Sequence, residues 1–341
     1  MGTKTISADS KFASVVRFFT KWEMLLFILL IVINVVNSML TPFYLSFNGL
    51  MGATLSFLDK SFIVFPMAMI ILIGEIDISV ASTVALSSVI MGVAYNAGNG
   101  VSMVVAMLIC LGVATLCGFI NGLLLTKYRE LSPMIITLAT ATIYRGIAYV
   151  ILQDRAAGKF PTWFQYFGWG YIGPIPFMLV CFIVCAVLSL FVLNKTTFGR
   201  RLYAIGNNRL ASSYSGVKVE RYRLFLYTFA GFMSGVTAIF LTSRMSSTRP
   251  NIALGYELQV ISMVVLGGIS TAGGKGKLSG AIIAIFIVGF LTYGMGLKNV
   301  NSQVLMIIIG LLLVFSVMLP NIFVGRRKRV RQDLVHMLTG R

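Results

Sequence analysis

Long apolar runs alternate with short polar breaks along most of this chain. Ten such runs fall at roughly 24–43, 50–73, 78–97, 102–126, 132–152, 175–194, 224–243, 257–274, 278–297 and 302–321. A helix rises about 1.5 Å per residue, so about 20 residues cross a hydrocarbon core about 30 Å thick. Each run therefore predicts one membrane span. The expected fold class is all-α, a polytopic bundle of about ten transmembrane helices forming one domain over 1–341. The polar intervals are residues 1–23, a long segment at 195–223 and a tail at 322–341. The run from Met24 is read as a span and not as a cleaved leader, because no small-residue cleavage site follows it and further spans do.

Composition agrees with the pattern. Hydrophobic residues make up 57% of the 341 and charged residues 11%, with a mean hydropathy of +0.90. Soluble domains carry about 25% charge. A soluble enzyme, a disulfide scaffold and a disordered chain are all excluded.

The formal net charge is +18, which in a soluble protein would suggest nucleic acid. In a membrane protein, basic residues collect at the cytoplasmic helix ends. With the N-terminus inside, 21 of the 28 basic residues lie on the cytoplasmic side. Five lie outside: Arg155, Lys159, Arg244, Arg249 and Lys298. Lys60 and Arg145 fall within spans. An even number of spans then places both termini in the cytoplasm, and no nucleic-acid partner is expected.

Candidate chemistry is sparse. Cys110, Cys117, Cys181 and Cys185 all sit in apolar runs with no histidine or acid beside them, which suits packing better than metal binding or a disulfide. His336, the one histidine, lies in the basic tail. No metal, no cofactor and no catalytic pair is expected, and the chain is not expected to be an enzyme.

Four acids lie in or beside spans: Asp59, Glu75, Asp77 and Glu257. Asp59 is followed by Lys60, which suggests local charge compensation near an outer helix end. Gly74-Glu75-Ile76-Asp77-Ile78-Ser79 interrupts apolar sequence with two carboxylates. That pattern suits a break with a helix start capped by Asp77 or Ser79, which caps, lines a polar path, or does both. Asp77, Ser79, Asn121, Thr137, Arg145 and Glu257 are the candidates for a substrate path.

Met69-Ile-Ile-Leu-Ile-Gly74 and Met263-Val-Val-Leu-Gly-Gly268 share a form, an apolar run stopped at glycine. Broken helices in repeats are a transporter habit. Gly267 through Gly276 is glycine-rich but misses the phosphate-loop spacing by one residue, and Gly276 stands where Ser or Thr should follow Lys275. ATP, if used, is bound by another subunit. The segment 195–223 carries apolar residues among polar ones, as one or two short amphipathic helices would. On its own it reads as an interfacial loop in contact with membrane lipid or as a docking element.

These segments, in this order, resemble the ribose-type permeases of ATP-binding-cassette importers, a family that includes ribose, galactose, rhamnose and autoinducer-2 permeases. The likeness runs from about residue 45 to 320. It rests on three segments: Gly74-Glu-Ile-Asp77-Ile-Ser79-Val-Ala-Ser82; Thr197-Phe-Gly199-Arg200 through Asn207, continuing from Ala211 to Gly216-Val-Lys-Val; and Gly255-Tyr256-Glu257-Leu258 with Val264 through Gly276. The resemblance implies a permease subunit that moves a sugar or sugar-like molecule across a bacterial inner membrane. It implies as partners a second permease chain, alike or paralogous, and a periplasmic or lipid-anchored sugar-binding protein. It also implies a dual-cassette ATPase docked on 195–223, with Gly199, Arg200, Ala204, Gly206, Ala211 and Gly216 as coupling residues. Gly206 is expected in a loop of tight turns, at a place where a side chain would clash or a positive φ is needed.

The chain departs from the family pattern at a few positions. Glu75 and Ala81 replace glycines. Arg209 and Leu210 stand where an acid and an alanine are usual, and Gln259 stands where some members have Asp. The gained and lost acids at 75 and 259 bear on which cargo is carried. The alternative reading is a secondary carrier coupled to H⁺ or Na⁺ through Glu75, Asp77 or Glu257.

Overall fold

A computed structural model describes residues 22–40, 44–96, 100–301 and most of 303–318. The basic tail, His336 and nearly all of the N-terminal polar segment lie outside the described residues. The principal helices among the described residues run in chain order. They are α1 (Trp22–Leu40), α2 (Phe47–Leu55), α3 (Leu58–Leu72), α4 (Val80–Asn96), α5 (Met103–Lys127) and α6 (Pro133–Leu152), followed by α7 (Phe177–Lys195), α8 (Thr197–Asn207), α9 (Arg209–Tyr214), α10 (Val219–Met245), α11 (Tyr256–Leu266) and α12 (Leu278–Leu297). The all-α expectation holds apart from two short antiparallel ladders. Ala157–Gly158 pairs with Ser247–Thr248, and Tyr171–Ile172 with Ile175–Pro176.

Among the described residues, six helices are long and apolar enough to cross a membrane: α1, α5, α6, α7, α10 and α12. The predicted run 50–73 is not one straight span. It is α2 and α3, bent by 60°. No proline or glycine marks that bend. Thr54 and Ser56 instead donate their hydroxyls back to the carbonyls of Met51 and Ala53, each at 2.6 Å, and such back-bonding bends helices. The carbonyl of Ser56 is taken up by Arg244 at 3.2 Å. The run 257–274 also shortens, because α11 stops at Leu266. At the other side of the coupling segment, α10 begins at Val219, five residues before the predicted 224.

Every residue of α3 is buried. A helix apolar on all sides belongs at the centre of a bundle, and α3 is that centre. Against it lies α10, which also crosses α5 closely. There Gly118 of α5 meets Gly231 of α10, and a Cβ on Gly118 would stand 2.8 Å from the Gly231 Cα. Small residues at a crossing let two backbones meet, which is how helices associate without water to drive them together.

The two apolar runs that looked alike in sequence end alike. After α3, Gly74 takes φ +80°, and Gly74 N and Glu75 N donate to Ile71 and Ile70 carbonyls. After α11, Gly268 takes φ +88°, and Gly268 N and Ile269 N donate to Val265 and Val264. Both are Schellman endings with glycine in the left-handed position. The shared sequence form encodes a shared stop.

Candidate functional site

The first Schellman turn releases the chain into residues 75–79, and three segments converge there. The end of α8 is pressed against the end of α3. A Cβ on Gly206 would collide with the Leu72 carbonyl, which already accepts from Gly274 N at 2.8 Å. The glycine-rich run 267–276 completes the contact, with Tyr203 of α8 donating to the Gly276 carbonyl at 3.0 Å. Burial pushes the Tyr203 phenol above its usual range, so it stays a donor. Gly206 therefore lies in a helix, not in a loop of tight turns, and the requirement there is space.

Glu75 connects the same place to charge. Its carboxylate, 5% exposed, lies 2.8 Å from Arg223 Nε and 3.1 Å from Arg209 Nη1. Tyr227 donates to it at 3.1 Å. Arg223 is 1% exposed and also donates to the Leu125 carbonyl. Glu220 pairs with Arg209 at 3.5 Å and with Arg129 at 3.4 Å. An alternating chain of charge thus runs Arg129–Glu220–Arg209–Glu75–Arg223. Two departures from the family pattern, the acid at 75 and the base at 209, are partners. Glu75 is committed to the α9–α10 side.

Asp77 and Ser79 form the start of α4. Ser79 donates its backbone N–H and hydroxyl to Asp77 Oδ1 at 2.8 and 2.7 Å. Asn121 of α5 donates to the Ser79 hydroxyl at 2.7 Å, and Tyr144 of α6 donates to Asn121 Oδ1 at 3.1 Å. Thr137 of α6 reaches the Ile76 carbonyl at 3.4 Å. Asp77, Ser79 and Asn121 are therefore one buried network, while the buried Thr137 gives its hydroxyl to backbone carbonyls, those of Ile76, Pro133 and Met134. Arg145 and Glu257 are not part of it. Arg145 lies eight residues beyond Thr137, about 12 Å along α6, and holds the carbonyls of Pro250 and Ile252 at 2.7 and 2.8 Å. Glu257, half-buried, lies in the first turn of α11.

Asp59 is not compensated by Lys60. Its carboxylate takes Arg244 Nη2 at 2.7 Å and the Tyr256 hydroxyl at 3.1 Å. Glu75–Arg223 and Asp59–Arg244 thus flank α3 at its two ends and staple it to α10. Lys60 turns elsewhere, donating to Gln259 Oε1 at 2.6 Å.

The segment 195–223 holds two helices, as its pattern predicts. Asn208 caps α9 by accepting from Ala211 N at 2.9 Å. Gly199 is buried against Leu193, while Gly216 turns the chain at φ +82°. Arg200, Ala204, Ala211 and Gly216 are exposed. So are Leu210 at 65% and Tyr214 at 84%, two apolar side chains one turn apart. Near this face Lys277 pairs with Glu23 at 2.7 Å, and the hydrogen bond to Glu23 raises the lysine's pKa. The four cysteines are free.

Sequence reasoning missed Arg209, Arg223 and Tyr227 as a unit, since they lie 134 to 152 residues from Glu75. The available signal was the simultaneous gain of an acid and a base.

Six long apolar helices among the described residues make this a multi-pass membrane protein. The chain belongs to the family described as branched-chain amino acid transport system / permease component, whose pattern matches residues 50–317. This is a transport family, not a catalytic one. The ribose import permease protein of Bacillus subtilis is 37% identical over 296 residues, covering 86% of this chain and 90% of that one. The autoinducer 2 import system permease proteins of Escherichia coli K12 and Shigella flexneri are 32% identical over 313 residues, covering 90% and 94%. No solved structure matches the chain. The protein is a multi-pass importer permease.

Proposed function

We propose that this permease carries a sugar or sugar-like molecule into a bacterial cell across the inner membrane, driven by an ATPase that docks on α8 and α9. The observation that carries the reading is the contact of Gly206 with Leu72 together with the Glu75–Arg209 pair. Through them, a push on the exposed helix pair reaches the break at 73–79 directly. Leu210 and Tyr214 give that face an apolar grip, and Arg200 gives it charge.

The cargo class rests on the ribose and autoinducer 2 importers, to which the chain is similar over most of its length. The six long helices, the bent α2–α3 pair and the three shorter apolar helices at Val80–Asn96, Tyr256–Leu266 and Gln303–Leu312 support ten crossings. That count and the basic bias of the sequence support a topology with both termini in the cytoplasm and the Asp59–Arg244 end outside. The whole chain, 1–341, is then one transmembrane domain with a coupling segment at 195–223. A second permease chain completes the path, and a periplasmic or lipid-anchored binding protein delivers the cargo.

Proteoliposomes test the reading. Uptake of a neutral monosaccharide is expected only with ATPase, ATP and binding protein present. Accumulation by the purified chain alone under an imposed pH gradient refutes it and favours a proton-coupled carrier.

A further inference from the structure

Lys60 poses a problem of charge. It lies in α3 at 7% exposure, and among the described residues no carboxylate pairs with its ammonium. Asp59, its neighbour, is occupied by Arg244 and Tyr256. What Lys60 has is a neutral acceptor, Gln259 Oε1, and the ring of Tyr256, whose centre lies 4.9 Å away. An ammonium has three donors, and among the described residues one of them is used, on Gln259. An ionisable group held in a membrane span at such cost usually marks a path or a site.

Beside Lys60 lies a cavity of about 430 Å³, bounded by the α2–α3 bend, α11, α12 and, beyond α12, Leu305 and Ile309, a size that small-molecule sites use. Its polar lining comes from Ser56, Lys60, Gln259, Thr292 and Tyr293. Ser56 and Thr292 spend their protons on Ala53 and Gly289 carbonyls, so toward the cavity they accept. Lys60 and the Gln259 amide nitrogen donate. Tyr293 contributes an aromatic ring.

We propose that this cavity is a cargo subsite for a neutral, hydroxyl-rich molecule, with Lys60 and Gln259 as the residues that select it. The inference rests on the sugar-import reading and names its contact residues. Hydroxyls both donate and accept, which matches a lining of both kinds. A carboxylate or phosphate only accepts, so Ser56 and Thr292 would repel it. It would also bind the buried ammonium too tightly to leave, and a transport path needs sites weak enough to release.

The test uses the complete importer in proteoliposomes with D-ribose, L-rhamnose and D-glucuronate as probes. Lys60→Met should lower neutral-sugar uptake about tenfold or more, the scale of a lost hydrogen bond to a charged group. Lys60→Gln, which keeps a donor, should stay within about threefold of wild type, a fold estimate on the same scale. Both should retain the ATPase in co-purification. Unchanged uptake in Lys60→Met overturns the proposal. So does Lys60→Gln as deficient as Lys60→Met, and wild-type uptake of D-glucuronate alongside it would point to an anionic cargo. Should Lys60→Met fail to assemble, Thr292→Cys reports instead. Its alkylation by a water-soluble maleimide should slow when the transported sugar is present, and a rate indifferent to sugar overturns the subsite. Wild-type importer that takes up neither neutral sugar sinks the sugar reading itself, a separate failure.

Discussion

Replacing Glu75 with glutamine isolates the worth of the buried ion pair. The change keeps the size of the side chain and removes its charge. Arg223 is then left almost fully buried, facing an amide where a carboxylate was. At 2.8 Å and an effective dielectric of about 20, the lost attraction is roughly 6 kcal/mol before solvation is counted. Both groups are out of water in either variant, so most of the desolvation cost remains. The expected loss is about 3–5 kcal/mol, the usual result of breaking a buried pair from one side. Arg209 adds little, because its side chain is 43% exposed and solvent screens it.

A second substitution separates these contributions. Glu75→Gln combined with Arg223→Met removes the stranded charge and should recover most of the loss, since apolar replacements of whole buried pairs are often near neutral. Glu75→Gln combined with Arg209→Ala should recover almost none. The assay is thermal unfolding of purified permease in lipid nanodiscs, compared as a double-mutant cycle. A loss under about 1 kcal/mol for Glu75→Gln, or recovery by Arg209→Ala in place of Arg223→Met, refutes the buried-pair account.

Further expectations follow from the same geometry. Gly206→Trp should abolish ATPase co-purification while leaving the chain inserted, because its side chain has no space at Leu72; Ala211→Trp, on the exposed face, should weaken the same pull-down. Normal pull-down of both would reject that docking face. Asp77→Asn should keep the Asp77–Ser79 turn and much of the transport, whereas Asp77→Leu should cost about 0.5–2 kcal/mol and lower the expression level. Normal assembly of Asp77→Leu with loss of uptake alone would instead make Asp77 a cargo contact or a gate. Arg244→Ala should destabilise by about 3–5 kcal/mol through the stranded Asp59, and Asp59→Asn in the same chain should restore stability in the unfolding assay.

Much was legible in the sequence. Apolar run length alone gave a helical membrane protein, because a bilayer offers no partner for an unpaired backbone and leaves the chain little choice. The stops at Gly74 and Gly268 were written as well, since few residues but glycine take a left-handed turn without strain. So was the polar turn before α4, where Ser79 donates to Asp77 two residues away. These are local matters, settled within one or two turns of helix. The bend at Ser56 was not legible, for it depends on hydroxyl back-bonds and on Arg244 from 188 residues away. Nor was the fate of the buried charges. Asp59 had Lys60 beside it and took Arg244, and Glu75 looked like part of a path yet holds two arginines of the coupling segment. A buried charge is stabilised by whichever opposite group the packing brings within about 3–4 Å, and sequence separation does not say which that is. Only the crossing of α3 with α10 decided it.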